Sequence, residues 1–140
     1  MQLTATRPLD CGVADSYVVQ LDKDLALITA WQTTTSAIAY HGTNRYSFTQ
    51  ALRSDGTCAY IPTAVDPLCT QSSTIGGSLT VYYDTTTQKI VMDAVIPDGS
   101  YQGWGWGPTM TNTEIVVFSA EGASSAVTTY YGTGDTRPTL

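Results

Sequence analysis

Two tryptophans, Trp104 and Trp106, lie in the sequence Gly-Trp-Gly-Trp-Gly, and their spacing suits the binding of a flat ligand. On a β-strand the side chains of alternate residues point to the same face, so the two indole rings share one face. Planar aromatic rings stack on the C–H faces of sugars, and Tyr101 and Tyr130 would enlarge the aromatic surface. The sequence thus predicts a carbohydrate site on these four residues, unless the tryptophans fill the core.

Other chemistry has little support in the residue types. His41 is the single histidine and lies in a Tyr-His-Gly-Thr-Asn turn, so a Ser-His-Asp arrangement would need a serine and a carboxylate from distant segments. The carboxylates fall mainly in predicted turns, where aspartate is favoured for backbone reasons. No cysteine pair has the C-x-x-C spacing of a metal site, and no loop has the ligand pattern of a calcium site. We expect neither an enzyme nor a metal site.

The chain has three cysteines, Cys11, Cys58 and Cys69. In a secreted protein we expect a disulfide between Cys58 and Cys69, which closes a proline-containing loop and stabilises the fold by about 3 kcal/mol on the chain-entropy model. Cys11 is then left over as a buried free thiol, although it is equally able to pair with either of the other two. A further interpretation of Cys11 is a bond between subunits.

The composition excludes some partners. The chain has 140 residues and a net charge of −6, and Lys23 and Lys89 are its lysines, so no basic stripe is available to neutralise phosphates. It has neither the run of about 18 apolar residues that a membrane span needs nor the apolar core of a signal peptide. We expect no nucleic-acid partner and no membrane span, and a processed chain if the protein is secreted.

The elements that position these residues are nearly all strands. Apolar and polar residues alternate with period two, and no helical apolar stripe is present. We predict a helical turn at residues 46–53 and strands at residues 17–21, 25–31, 36–40, 78–83, 89–96, 101–106, 114–119 and 126–131. Residues 1–14 form an extended arm that either folds back along its own domain or adds a strand to a neighbouring subunit. The fold class is all-β, with a single antiparallel β-sandwich over residues 15–140.

The clearest hairpin joins residues 79–83 to residues 90–96 across the loop Asp-Thr-Thr-Thr-Gln. Asp93 falls on a face of the second strand that we expect to be partly solvated. The opposite face carries four apolar residues, Ile90, Met92, Ala94 and Ile96. The threonine runs at residues 33–35 and 85–87 are the places where O-glycosylation is expected, since no Asn-x-Ser/Thr sequence is present.

Residues 104–117, followed by Tyr-Tyr-Gly-Thr-Gly-Asp-Thr-Arg-Pro at residues 130–138, resemble the DOMON domain. This immunoglobulin-like sandwich occurs in the cytochrome module of fungal cellobiose dehydrogenases and in extracellular proteins that bind sugars or haem. The resemblance covers about residues 78–140. It rests on an apolar strand pair, the Gly-Trp strand, the Met-Thr-Asn turn and the terminal Tyr-x-x-Gly-x-x-x-Pro stretch.

The resemblance implies haem b as a candidate cofactor. In the cytochrome members a methionine in the turn after the Gly-rich strand and a histidine farther along the chain hold the iron, and Met110 occupies the matching methionine position. No histidine follows Met110, so His41 would have to approach it from the other half of the sandwich. The alternative interpretation is that Met110 fills the end of the sandwich.

The leading functional hypothesis comes from what the sequence lacks. Without a catalytic arrangement or a second haem ligand, the chain has nearly uncharged strands, many hydroxyl side chains, a leftover cysteine and an extended arm. These features are typical of an extracellular or cell-surface structural subunit that polymerises with copies of itself into a glycoprotein fibre, filament or surface layer through strand or arm exchange. The alternative is a ligand-binding module for carbohydrate or haem b, with glycans as partners.

Overall fold

The computed structural model describes residues 1–12, 17–32, 45–56, 70–72 and 78–133. These residues form strands and connecting segments without a helix, and so include none that is long and apolar enough to cross a membrane. The strands are β1 Gln2–Pro8, β2 Leu25–Gln32, β3 Arg45–Gln50, β4 Thr70–Ser72, β5 Ser78–Asp84, β6 Lys89–Val95, β7 Ser100–Trp106, β8 Thr111–Glu121 and β9 Ser124–Thr133. The predicted all-β fold is confirmed.

The strands form two antiparallel sheets that pack face to face. Sheet A has the strand order β1-β6-β5-β4, and sheet B has the order β3-β2-β7-β8-β9. The alternate residues that point inward from both sheets build one continuous apolar core. Its largest fully buried side chains include Trp104, Trp106, Phe118, Leu27 and Leu79. The predicted antiparallel β-sandwich is confirmed.

β5 and β6 form the predicted hairpin with the predicted faces, and the pairing continues one residue into the predicted loop, with Asp84 opposite Lys89. Tyr83 lies opposite Ile90, and Leu79 lies opposite Ala94. All four apolar residues on the inward face of the second strand are completely buried, namely Ile90, Met92, Ala94 and Ile96. On the outward face Asp93 is half-buried and accepts a hydrogen bond of 2.6 Å from the hydroxyl of Thr4. The alternation in the sequence therefore identified correctly which face of this strand is buried.

Asp84 organises the turn of this hairpin. Its carboxylate accepts hydrogen bonds from the Thr87 hydroxyl at 2.7 Å and from the Thr86 amide at 2.9 Å. Its carbonyl accepts a bond of 2.8 Å from the amide of Gln88, whose φ of 57° closes the turn. These hydrogen bonds lower the pKa of Asp84 from its ordinary value. The bond from the Thr87 hydroxyl has the largest effect, and the bond from the Thr86 amide has the next largest.

We expect Asp84→Asn to lower the urea midpoint of unfolding at pH 7, and we expect the difference from the wild type to shrink below about pH 4, near the ordinary pKa of aspartate. A carboxyl whose pKa is lowered by folding stabilises the fold above its unfolded-state pKa. That contribution is lost as the pH falls through the lower, folded-state pKa. Urea titrations at several pH values measure it, and a difference that is independent of pH would contradict a role for the charge.

Two predicted elements are wrong, and a third lies outside the described residues. Residues 46–53 do not form a helical turn, because β3 at Arg45–Gln50 is a strand paired with β2. Residues 17–21 are not a strand either. Val19 is buried in the core, but its amide bonds the Leu9 carbonyl at 2.8 Å from an irregular segment. The strand predicted at residues 36–40 is not among the described residues.

The first part of the predicted arm is an edge strand of its own domain. β1 pairs antiparallel with β6 from Gln2 opposite Val95 to Pro8 opposite Lys89. The terminal ammonium of Met1 continues this pairing with a bond of 2.9 Å to the Ile96 carbonyl. Of the two alternatives for the arm, the structure has the one in which it folds back along its own chain.

Candidate functional site

Trp104 and Trp106 share one face of β7, and that face is the core. Their exposed fractions are 1% and 0%. The two rings meet edge to face, with centroids 6.0 Å apart and planes inclined at 69°. Trp104 lies opposite Val116 of β8, which also points inward. Neither indole therefore offers a face to a ligand in solution.

Tyr101 and Tyr130 lie on the opposite, outward face of sheet B. Tyr101 is buried there in a second apolar cluster with Ile115 and Val117, and Tyr130 packs half-buried against it. The four aromatic residues are thus divided between the two faces of one sheet. They do not form the single sugar-stacking surface that the sequence predicted. Trp104 and Trp106 occupy even-numbered positions of β7 and Tyr101 an odd-numbered one, so their side chains point to opposite faces.

The alternate glycines of β7 have a structural reason. A Cβ added at Gly105 would lie 2.6 Å from Cγ1 of Ile28 and 2.9 Å from Cγ2 of Thr113. The neighbouring strands β2 and β8 therefore extend their side chains over Gly105 on the outward face. Gly105 makes room for the protein's own residues and not for a ligand.

Met110 lies in the turn between β7 and β8. It is half-buried and packs against the outward cluster of Tyr101, Ile115 and Val117. His41, the second ligand that haem would need, lies outside the described residues. Within the part of the chain that the structure describes, no group of three or more His, Cys, Asp or Glu side chains is placed to hold a metal ion. Haem b ligation by Met110 stays a prediction, and Met110 packs on the outward face of sheet B rather than with the core cluster between the sheets.

Cys11 follows β1 and is a free, half-buried thiol. Burial is the main influence on the Cys11 thiol and raises its pKa, Arg7 opposes this effect, and Glu114 and Asp10 reinforce it. A raised pKa leaves less thiolate at neutral pH, so Cys11 is less reactive than an ordinary cysteine. Cys58 and Cys69 lie outside the described residues, and their disulfide stays a prediction.

Arg7 is the structurally important residue that the sequence analysis missed. Its side chain is 4% exposed and forms a two-pronged ion pair with Glu114, with Nε donating to Oε1 at 2.9 Å and Nη2 donating to Oε2 at 2.7 Å. The guanidinium carbon also lies 5.3 Å from the centre of the Trp106 ring, a cation–π distance. Arg7 belongs to sheet A and Glu114 to sheet B, so this contact joins the two sheets.

The remaining donors of Arg7 bind backbone carbonyls. Nη1 donates to Pro8 at 2.9 Å and to Leu9 at 3.3 Å, and Nη2 donates to Tyr17. The guanidinium thereby also fixes the chain where it leaves β1. Alternation along the arm would have identified Arg7 as an inward residue, because Leu3, Ala5 and Arg7 occupy alternate positions on the inward side of a strand.

The edges of the sheets are the other feature of functional interest. Among the described strands, the edges are β1 and β4 in sheet A, and β3 and β9 in sheet B. β1 carries Arg7 and Pro8, β3 begins with the exposed Arg45, and β4 has three residues. Charge, proline and short length are the means by which sheet edges avoid pairing with other chains. β9 has no charged residue and no proline, and it is ten residues long. Its sequence is Ser-Ser-Ala-Val-Thr-Thr-Tyr-Tyr-Gly-Thr.

β9 also extends beyond the cover of sheet A. Its inward-facing Val127 is 38% exposed, and Thr129 on the same face is exposed as well. Their neighbours on β8, Phe118 and Val116, are buried. Within the described segments, no strand pairs with the outer edge of β9. We call this edge, residues 124–133, the β9 edge.

No family model, no curated protein and no solved structure matches this chain. The resemblance to DOMON domains therefore stays a prediction, and a function has to be argued from the geometry described above.

Proposed function

We propose that the chain is an extracellular structural subunit that assembles with copies of itself by pairing sheet edges. The β9 edge carries this proposal. It is a ten-residue strand without charge or proline at the open side of a five-stranded sheet, and it has an exposed valine on its inward face. An edge of this kind presents a row of backbone donors and acceptors that another chain is able to pair with.

The charge of the chain favours this edge over the others as a contact between copies. Each subunit carries a net charge of −6, so two copies repel each other at long range. A contact between identical subunits is then least opposed where the surface has no charge. The β9 edge provides such a contact over its whole length.

Pairing at the β9 edge also requires no part of the subunit to unfold. Exchange of the amino-terminal arm would first break the seven-residue ladder of β1 with β6 and the bonds of Arg7 to Glu114. Of the two routes to assembly, edge pairing has the smaller barrier. The exposed Thr85 and Thr86 offer hydroxyls for the proposed O-glycosylation at a place remote in sequence from the β9 edge, whereas the Thr87 hydroxyl donates to Asp84.

We expect Val127→Lys to weaken self-association about tenfold or more, whereas Val127→Thr leaves it nearly unchanged. A lysine at this position puts a charged side chain into an otherwise uncharged edge contact, where it would lose part of its hydration, while threonine keeps both β-propensity and neutrality. Sedimentation velocity over a range of concentrations and negative-stain electron microscopy measure the effect. If Val127→Lys assembled at the same protein concentration as the wild type, this result would contradict the proposal.

An absorbance scan of the same sample would reveal a Soret band if the haem-binding alternative holds.

A further inference from the structure

We infer that two copies of this chain join by antiparallel pairing of β9 with β9 about a two-fold axis at Thr129. This inference rests on the proposed self-assembly and names the segment, partner and register of the contact. In this arrangement residue i of one copy lies opposite residue 258 − i of the other. Two five-stranded B sheets then form one continuous ten-stranded sheet.

The residues on the two sides of Thr129 complement each other across the proposed axis. The axis places Val127 opposite Tyr131 of the second copy, and Thr128 opposite Tyr130 of the second copy. Each of these pairs matches a β-branched side chain with an aromatic one, which is a favourable cross-strand combination in antiparallel sheets. Because the axis repeats both contacts, four such pairs form across the interface.

The faces of β9 agree with this register. Val127 and Tyr131 lie opposite Phe118 and Glu114 of β8, whose side chains point into the sandwich. Tyr130 belongs to the outward cluster. A two-fold axis perpendicular to a sheet pairs inward residues with inward residues, and so the exposed Val127 of each copy is covered by an inward Tyr131.

A neighbouring register lacks these pairs. An axis at Thr128 would place Tyr131 opposite Ser125 and Val127 opposite Thr129, so neither aromatic ring would meet a β-branched partner.

The β9 strand itself is regular enough to pair along its length with a second copy. The register shift between β8 and β9 falls at Thr111 and Thr113, on the β8 side, and leaves residues 124–132 of β9 in continuous pairing.

The two-fold contact closes on itself, since each copy uses the same surface. The product of β9 pairing is therefore a dimer. A fibre or layer built from this dimer needs a second kind of contact elsewhere on the subunit.

Cysteine cross-linking tests the register. In a Cys11→Ser background, which removes the free thiol near β1, we would compare Thr129→Cys with Ser125→Cys. Both positions are exposed and point to the same face of β9. At the axis the two Cβ atoms of residue 129 are about 4.5–5.5 Å apart, close to disulfide geometry. The two copies of residue 125 are separated by eight residues along the strand, or about 27 Å.

We expect Thr129→Cys to form covalent dimers under mild oxidation at least about tenfold faster than Ser125→Cys, as measured on non-reducing gels. Faster dimer formation by Ser125→Cys would overturn the register. Equal and slow cross-linking of both variants, with self-association still evident by sedimentation, would overturn pairing through β9, while a self-assembling subunit that uses another surface would still agree with the data. Sedimentation of the wild type as a monomer at every concentration would overturn both. Far-UV circular dichroism verifies that the variants are folded.

Discussion

Replacement of Arg7 by alanine is expected to lower the free energy of unfolding by about 3–5 kcal/mol. The change leaves the Glu114 carboxylate without its cation, and the carbonyls of Pro8, Leu9 and Tyr17 without their donor. Removal of one partner from a buried ion pair is costly because the remaining charge stays desolvated. Loss of the packing between the arginine and the Trp106 ring adds to the effect. Urea titration at pH 7 measures it.

The chain offers a matched control for this change. Arg53 forms an ion pair with Asp22 at 3.9 Å, but both side chains are 52% exposed. Arg53→Ala should therefore lower the stability by no more than about 1 kcal/mol, as is usual for surface pairs. Similar losses for Arg7→Ala and Arg53→Ala would show that the contact between the sheets contributes no more than a surface ion pair.

A second large effect is expected from Trp104→Ala, which should destabilise the fold by about 3–5 kcal/mol. The ring is buried between the sheets, so its removal creates a cavity that the surrounding strands cannot fill. Tyr130→Ala is the control, because that ring is half-buried on the outward face. We expect it to lose about half as much or less. Chemical unfolding monitored by circular dichroism compares the two variants.

The same experiment distinguishes a core role of Trp104 from a role in sugar binding. A core residue produces a variant that is less stable whether or not a glycan is added. A sugar-binding residue would produce a variant of unchanged stability that no longer responds to glycans in tryptophan fluorescence. A fully stable Trp104→Ala protein would contradict the packing described here.

The strands from β5 to β8 could be predicted because their residues carry the information locally. The inward residues Met92 and Ala94 flank the half-buried Asp93, and Gly99 and Gly122 adopt a positive φ in the turns between strands. The ends of these strands are set by residues adjacent in sequence. A pattern of period two is then sufficient to locate them.

β3 could not be predicted in the same way. The apolar spacing of Tyr46, Phe48 and Leu52 is compatible with a short helix as well as with a strand, and the sequence predicts a helical turn. The structure makes it a strand because the backbone pairs with β2 from Leu25 opposite Gln50 to Ala30 opposite Arg45. Pairing with a strand distant in sequence, rather than local propensity, decides the conformation of such a segment.

The candidate sites show a similar limit. Parity placed Trp104 and Trp106 on one face of a strand, but parity alone does not tell which face is buried. Arg7 was missed because its partner Glu114 is 107 residues away, and only its alternation with Leu3 and Ala5 indicated burial. The β9 edge was foreseen as a nearly uncharged strand, but its position at the open side of the sheet follows from the strand order alone.

The pairing of β1 has a consequence for how the protein folds during synthesis. β1 leaves the ribosome well before its partner strand β6, since the amine of Met1 bonds a carbonyl 95 residues farther along the chain. The ion pair of Arg7 forms later still, because the Glu114 carboxylate lies 107 residues farther along the chain. Contacts between such distant segments form slowly, because a long stretch of chain has to be ordered to bring them together. A newly made chain therefore carries β1 unpaired until β6 has been synthesised, and during that time β1 is open to chaperones and to neighbouring nascent chains.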